Sequence, residues 1–234
     1  MSLAKSPQSS SVKEFLDRGN ELRRRIAGRL RVGLKASSER IGLRRDLSVR
    51  HVPPEAKIPI SVRPLELADI AVVLPFEDDQ GQVANRIEIA NRRAMAVRHV
   101  AGGFVAVDDR NGTPCYVQWL FAASDNDYIA KLVGFPQLAA DEALLENAYT
   151  PPAYRGMRIM SAAMALIAER AADIGARYVL TFVGEDNIAS LKGCQRAGFA
   201  PHLIHRQDQY AFGIVRRQHF TVMDADDPRR AKVY

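Results

Sequence analysis

The chain has 234 residues, 47% of them hydrophobic, with a formal net charge of +6. This suits one large domain, or a domain of about 170–180 residues with an appendage, and no 18-residue apolar run is present to span a membrane. Residues 1–50 hold 13 Lys/Arg against 5 Asp/Glu and the rest hold 20 against 22, so the basic character belongs to the N-terminal arm. The two cysteines, Cys115 and Cys194, make neither a metal-ligand spacing nor a disulfide framework. No metal is therefore expected, and a reducing, cytoplasmic setting is. The N-terminus lacks a signal-peptide apolar core.

Residues 1–10 are Ser-rich and polar. Over 12–34, Val12, Phe15, Leu16, Leu22, Ile26 and Leu30 fall on one side of a helix amid Arg23, Arg24, Arg25, Arg29 and Arg31. This basic amphipathic helix suits docking on the protein's own body or on a second copy in a homodimer. It also suits an anionic membrane surface. Nucleic acid fits less well, because stacking aromatics are missing around the arginines. Residues 36–56 read as a linker, which sets a boundary between an arm over 1–56 and a domain over 57–234.

The domain reads as a strand at 58–63, a helix at 65–74, an acidic loop at 75–81 and a helix at 83–99. Strands at 104–108 and 115–122 flank the Asn111-Gly112 turn. An insertion at 124–140 carries a short helix near 128–133, followed by a strand at 143–150. A long helix over 156–174 stops at Gly175, as a C′ glycine should. A strand at 178–183, a helix at 189–197 ended by Gly198, and strands over 202–223 complete it. The order predicts an α+β domain with one mixed sheet and a strand–helix–strand crossover from 143 to 183.

The stretch over 146–161 joins a strand, the Pro151-Pro152 pair, a tight Arg155-Gly156 turn and a long helix. The first N–H groups of a helix lack internal partners and lie at its positive end, so this arrangement suits a phosphate-bearing ligand.

Tyr149-Thr150-Pro151-Pro152-Ala153-Tyr154-Arg155-Gly156, followed by Glu185-Asp186-Asn187-Ile188-Ala189-Ser190 running to Gly198-Phe199, resembles the GNAT acyltransferase superfamily. The 58–69 opening with Arg63-Pro64 resembles the family's first strand and helix. The resemblance spans about 58–223. It implies a mostly antiparallel central sheet with splayed fourth and fifth strands and helices on both faces. It also implies N-acyl transfer from acetyl-coenzyme A, or another acyl-coenzyme A, to a small-molecule or peptide amine. The amine attacks the thioester directly. Pantetheine would lie against Tyr149 and Thr150. The amides of Arg155, Gly156, Met157, Arg158, Ile159, Met160 and Ser161 would hold the pyrophosphate, and Asn187, with Ser190 in the same motif, would contact the cofactor.

Two departures matter. Arg158 and Met160 stand where the family's loop motif prefers small residues. Arg158 could exchange an amide contact for a charge contact on phosphate. Alternatively, the donor is an acyl carrier protein, as in the acyl-homoserine lactone and long-chain N-acyl amino acid synthases. A non-catalytic binding module of the same fold is the third reading. The second departure is Cys194, which replaces a tyrosine proton donor and reads either as a weak acid or as a small buried side chain.

Glu146 is the candidate base, against the alternative of an ordinary strand-edge charge. Glu142 is a lesser candidate on the same face. His99, His202 and His205 could titrate usefully, but each reads better as a surface or helix-end residue. Trp119 and Phe121 read as core or acceptor wall, and Asp186 and Asn187 as a helix-capping pair.

Overall fold

The computed structural model describes residues 35–75, 83–132, 134–212 and 214–230. The helix expected over 12–34 and most of the acidic loop lie outside them. Eight strands form one mostly antiparallel sheet: β1 (Lys35–Asp46), β2 (Ile60–Pro64), β3 (Gly103–Asp108), β4 (Thr113–Ala122), β5 (Glu142–Tyr149), β6 (Tyr178–Gly184), β7 (Ala200–Tyr210) and β8 (Val215–Val222). Their order is β2-β3-β4-β5-β6-β1-β7-β8. The helices are α1 (Leu67–Val73), α2 (Val83–Arg98), the single turn α3 (Asn126–Ile129), α4 (Ile159–Glu169) and α5 (Ile188–Arg196).

The strands run through two compact units. The larger comprises Arg40–His205 and Phe220–Tyr234; the smaller includes Arg206–His219 and the segment ending at Glu39. In the smaller unit, Arg206 pairs with Asp208 at 3.1 Å and Lys35 Nζ lies 5.8 Å from the Tyr210 ring centre. All the site residues below lie in the larger unit.

Strand alternation divides the core between the two faces of the sheet. Tyr116 and Leu120 of β4, Ala143 and Leu145 of β5, and Val179 and Val183 of β6 pack with Ile159, Met164 and Ile167 of α4. Their neighbours Val117, Trp119, Phe121, Leu144, Leu180 and Phe182 pack with Ile70 and Val73 of α1 and Ile89 of α2. Helices thus cover both faces, as the resemblance implies. The β2–α1 corner is fixed by Asp69, which accepts two Arg63 hydrogen bonds at 2.7 Å and the Glu66 N–H at 2.8 Å.

The linker expected over 36–56 is corrected by β1, whose Arg40–Asp46 segment pairs antiparallel with β6 from Arg40↔Gly184 to Asp46↔Tyr178. Ile41 and Leu43 are buried, but the arginines around them hid the strand pattern. Arg45 is itself buried. Its guanidinium donates to the Ala165 and Ala197 carbonyls at 3.1 and 3.3 Å and pairs with Glu169. A cation whose terminal guanidinium nitrogens meet carbonyls and a carboxylate can enter the core, whereas an arginine read from sequence defaults to solvent.

Candidate active site

β5 and β6 pair in parallel only at Glu142↔Tyr178, Ala143↔Val179 and Leu144↔Leu180, yet β5 continues to Tyr149 and β6 to Gly184. A bulge accounts for the parting. Trp119 of β4 faces Glu146, and Val117 faces Tyr149, so Asn147 and Ala148 both oppose Gln118. Asn147 takes φ 61°, a left-handed value that asparagine tolerates better than most residues. The extra residue bends the strand and re-aims its side chains. Arg92 of α2 secures the bend by donating to the Asn147 and Ala148 carbonyls at 3.0 and 3.1 Å and to Asn147 Oδ1.

A cavity of about 830 Å³ reaches from this bulge to the start of α4. Tyr149, Thr150, Arg155, Gly156, Arg158, Ile159, Met160, Ser161, Asn187 and Ser190 all line it. Met157 does not; it packs against the core, and its carbonyl accepts the Lys57 N–H at 2.9 Å. The first backbone bond of α4 runs from Ala162 N–H to the Arg158 carbonyl at 3.3 Å. The Ile159, Met160 and Ser161 N–H groups precede it, at the helix's positive end. Lys57, Arg92, Arg155, Arg158 and Arg196 supply five further cationic groups, and among the described residues no Asp or Glu lines this cavity.

The two motif departures take physical form here. Arg158 adopts φ 60°, the conformation a glycine enters freely and an arginine only at a cost. Met160 is accommodated by α5, where a Cβ on Gly193 would lie 3.1 Å from its sulfur. Part of its bulk therefore occupies the space a side chain at 193 would need. Arg155 bends back, its Nε donating to the Thr150 carbonyl at 3.1 Å and its guanidinium lying 5.9 Å from the Tyr149 ring centre. Asn187 is the N-cap of α5, its Oδ1 accepting the Ser190 N–H at 3.1 Å, and it lines the cavity as well.

A second cavity of about 240 Å³ shares Arg92, Ala148, Met160, Asn187 and Ser190 with the first. It holds Glu146, Cys194, Gln118 and Arg40, so the two candidate catalytic residues share one crevice. Burial pushes the Glu146 carboxyl up to about 7, while the guanidinium fields of Arg40 and Arg92 pull the other way. Burial, with the Glu146 charge adding, pushes the Cys194 thiol up to about 12. Gln118 accepts the Tyr116 hydroxyl at 2.7 Å.

Glu142 sits where β5 and β6 are still paired, and its carboxylate accepts the Ala139 N–H at 2.9 Å. Neither it nor any of the three candidate histidines lines the crevice. The His99 ring lies 3.8 Å from Tyr128. His202 lines a separate basic hollow, where burial, Arg44 and Arg230 lower it to about 4. His205 is buried rather than on the surface, stacked on Phe220 at 4.6 Å. Trp119 is fully buried and donates to the His99 carbonyl at 3.0 Å, a core role. Sequence reasoning missed Arg40, Arg92 and Gln118. Arg92 sits in a helix rich in charge, and Arg40 in a segment read as linker.

A mixed sheet opened between β5 and β6, with a cationic helix start lining the opening, is the class of fold that the motifs implied. Residues 87–199, just under half of the chain, match the model of the acetyltransferase (GNAT) family. Among solved structures, the chain is similar to the glucosamine N-acetyltransferase region of a fungal multi-domain GH3 β-N-acetylglucosaminidase. That match has 14% identity and TM-score 0.50, covering 87% of this chain and 23% of that one. It is also similar to a GNAT-family acetyltransferase from Colwellia psychrerythraea, with 12% identity, TM-score 0.48 and 81% and 57% coverage. A third is a GCN5-related N-acetyltransferase from Sphaerobacter thermophilus, with 14% identity, TM-score 0.46 and 73% and 51% coverage. The chain spans less than two thirds of each of those chains, and at these identities the likeness is one of fold. No curated protein matches the sequence. Among the described residues, no helix is long and apolar enough to cross a membrane.

Proposed function

We propose that the chain transfers an acetyl or other acyl group from an acyl-coenzyme A to an amine by direct attack. The observation that carries this reading is the end of β5–β6 pairing at Leu144↔Leu180, which leaves a slot leading to the free amides at the start of α4. A pantetheine arm suits that slot, because its amides can bond a strand edge. A pyrophosphate suits a helix start joined by arginines. Glu146 takes the proton from the amine. The amine nitrogen bonds to the thioester carbon, the carbon–sulfur bond breaks, and the proton that Glu146 took, held at about 7, passes downhill to the thiolate of ordinary pKa near 8.5. Cys194 is a poor donor for that step: moving a proton from a thiol near 12 to a thiolate of ordinary pKa near 8.5 is uphill. We assign it a packing role.

Among the described residues, five cationic side chains and no carboxylate line the larger cavity, which favours a donor that brings its own phosphates over a carrier-borne pantetheine. Calorimetric titration tests this. Acetyl-CoA is expected to bind, with affinity falling as salt rises, and acetyl-pantetheine to bind at least 10-fold more weakly, given about 1.5–3 kcal/mol per charged hydrogen bond lost. No heat with acetyl-CoA, or equal affinity for the two, would sink the reading. Replacing Arg158 by Gly has two opposite effects. Relief of the left-handed strain raises stability by roughly 0.5–1 kcal/mol, and loss of the guanidinium weakens acetyl-CoA binding, to be read from thermal unfolding and calorimetry on the same sample.

A further inference from the structure

We propose that the acceptor carries a carboxylate beside its amine, as an amino acid does, and that Arg40 is the residue that recognises it. The proposal rests on the acyl-transfer reading of the crevice. Arg40 lies outside the matched 87–199 stretch and reaches the crevice only because β1 pairs with β6.

Its guanidinium is held in place. The ring centres of Phe135 and Phe182 lie 5.0 and 5.5 Å away. It donates to the Phe182 carbonyl at 3.1 Å, the Gly134 carbonyl at 3.4 Å and Glu146 Oε1 at 3.5 Å. Two of these bonds are long, and the fork has five N–H groups. Among the described residues it therefore keeps donor capacity, and its side chain is 28% exposed. Aromatic packing that fixes a planar fork while leaving N–H groups to spare is the arrangement that recognises carboxylates in a bidentate manner.

Charge bookkeeping in the small cavity points the same way. Arg40, Arg92 and Glu146 are its charged lining residues, and Arg92 is committed to the carbonyls of the bulge. The cavity thus holds one surplus positive charge with Glu146 ionised, and two once Glu146 has taken a proton. Among the described residues, the other charged or titratable groups facing Glu146 are the Cys194 thiol on α5 and the Tyr116 hydroxyl on β4, both held neutral by burial. A polycationic acceptor would be repelled here. An uncharged amine would leave the guanidinium short of an anion once Glu146 has taken its proton. An amine with its own carboxylate supplies that anion. Because Arg40 and Glu146 touch, the bound carboxylate brings the amine within reach of the base. About 240 Å³ suits a small molecule.

The test uses the full chain, acetyl-CoA and a panel of amino acids, each paired with its carboxamide and its decarboxylated amine, followed by thiol release. In parallel, calorimetry measures binding of the same compounds, and of acetyl-CoA, to the protein. Acids are expected to exceed their carboxamides about 10- to 100-fold in kcat/KM and in affinity. Arg40→Met is expected to bring that ratio near unity with acetyl-CoA affinity unchanged, and Arg40→Lys to give an intermediate ratio. A thermal unfolding curve establishes that each variant is folded. Equal use of acids and carboxamides by the wild type would overturn the proposal. So would an equal loss for both in Arg40→Met, which would reduce Arg40 to orienting Glu146. If acetyl-CoA does not bind but acids still bind through Arg40, the acyl-transfer reading fails and the carboxylate site stands. If none of the acids binds or reacts, the carboxylate site falls.

Discussion

Replacing Glu146 by Gln lowers kcat/KM by roughly 10²–10⁴, the usual contribution of a positioned general base, while acetyl-CoA affinity changes little. The wild-type pH profile carries the sharper signature. With the carboxyl at about 7, kcat/KM rises with unit slope below pH 7 and levels above it; in the Gln variant that limb disappears. Stability runs in the opposite sense. The folded-state pKa lies above the ordinary 4.5, so the folded chain holds a proton that the unfolded chain has lost. Stability is fully present below about 4.5, falls as pH rises toward 7 and is flat beyond, by up to about 3 kcal/mol. The Gln variant lacks this fall. Chemical unfolding at pH 5 and pH 8 measures it, and an unchanged rate or an unchanged pH profile in the variant would remove Glu146 from the chemistry.

Replacing Arg92 by Met costs activity and stability together. Arg92 ties α2 to the two carbonyls of the β5 bulge and to the Asn147 side chain, and its guanidinium lies 5.5 Å from the Tyr149 ring centre. Without it those acceptors lose a charged donor, at about 2 kcal/mol, or roughly 4–8 °C for a chain of this size. The bulge aims Glu146, and misplacing a reacting group by about 1 Å can cost 10²-fold; kcat/KM is expected to fall by about that factor. Arg92→Lys restores the charge but lacks the planar fork, so it recovers only part of either loss. A variant that unfolds at the wild-type temperature and turns over at the wild-type rate would show that the bulge holds without its clamp.

Much of the fold was legible because its signals are local. Asn111-Gly112 marks a hairpin, Gly175 adopts φ 82° at the end of the long helical stretch, and Gly198 adopts φ 89° at the next helix end. The nearly all-apolar run over 178–183 marks a strand buried on both faces. The strand–turn–helix over 146–161 also announced its chemistry, since free amides at a helix start follow from the order of elements alone. What stayed hidden depends on partners far away in the chain. Arg40 and Arg45 look like solvent-facing charges until carbonyls and carboxylates 94 to 152 residues on supply their acceptors.

The sequence by itself therefore determined the order of elements from β2 onward, the motifs of the resemblance and a helix start with free amides, all set by short-range backbone geometry. Only the tertiary structure decided that the supposed linker is a strand beside β6, and that this strand carries Arg40 to Glu146. Only packing decided that burial carries the Glu146 carboxyl up to about 7 and that Gly193 makes room for Met160. Desolvation and steric fit are properties of the packed interior, where side chains from distant stretches first meet.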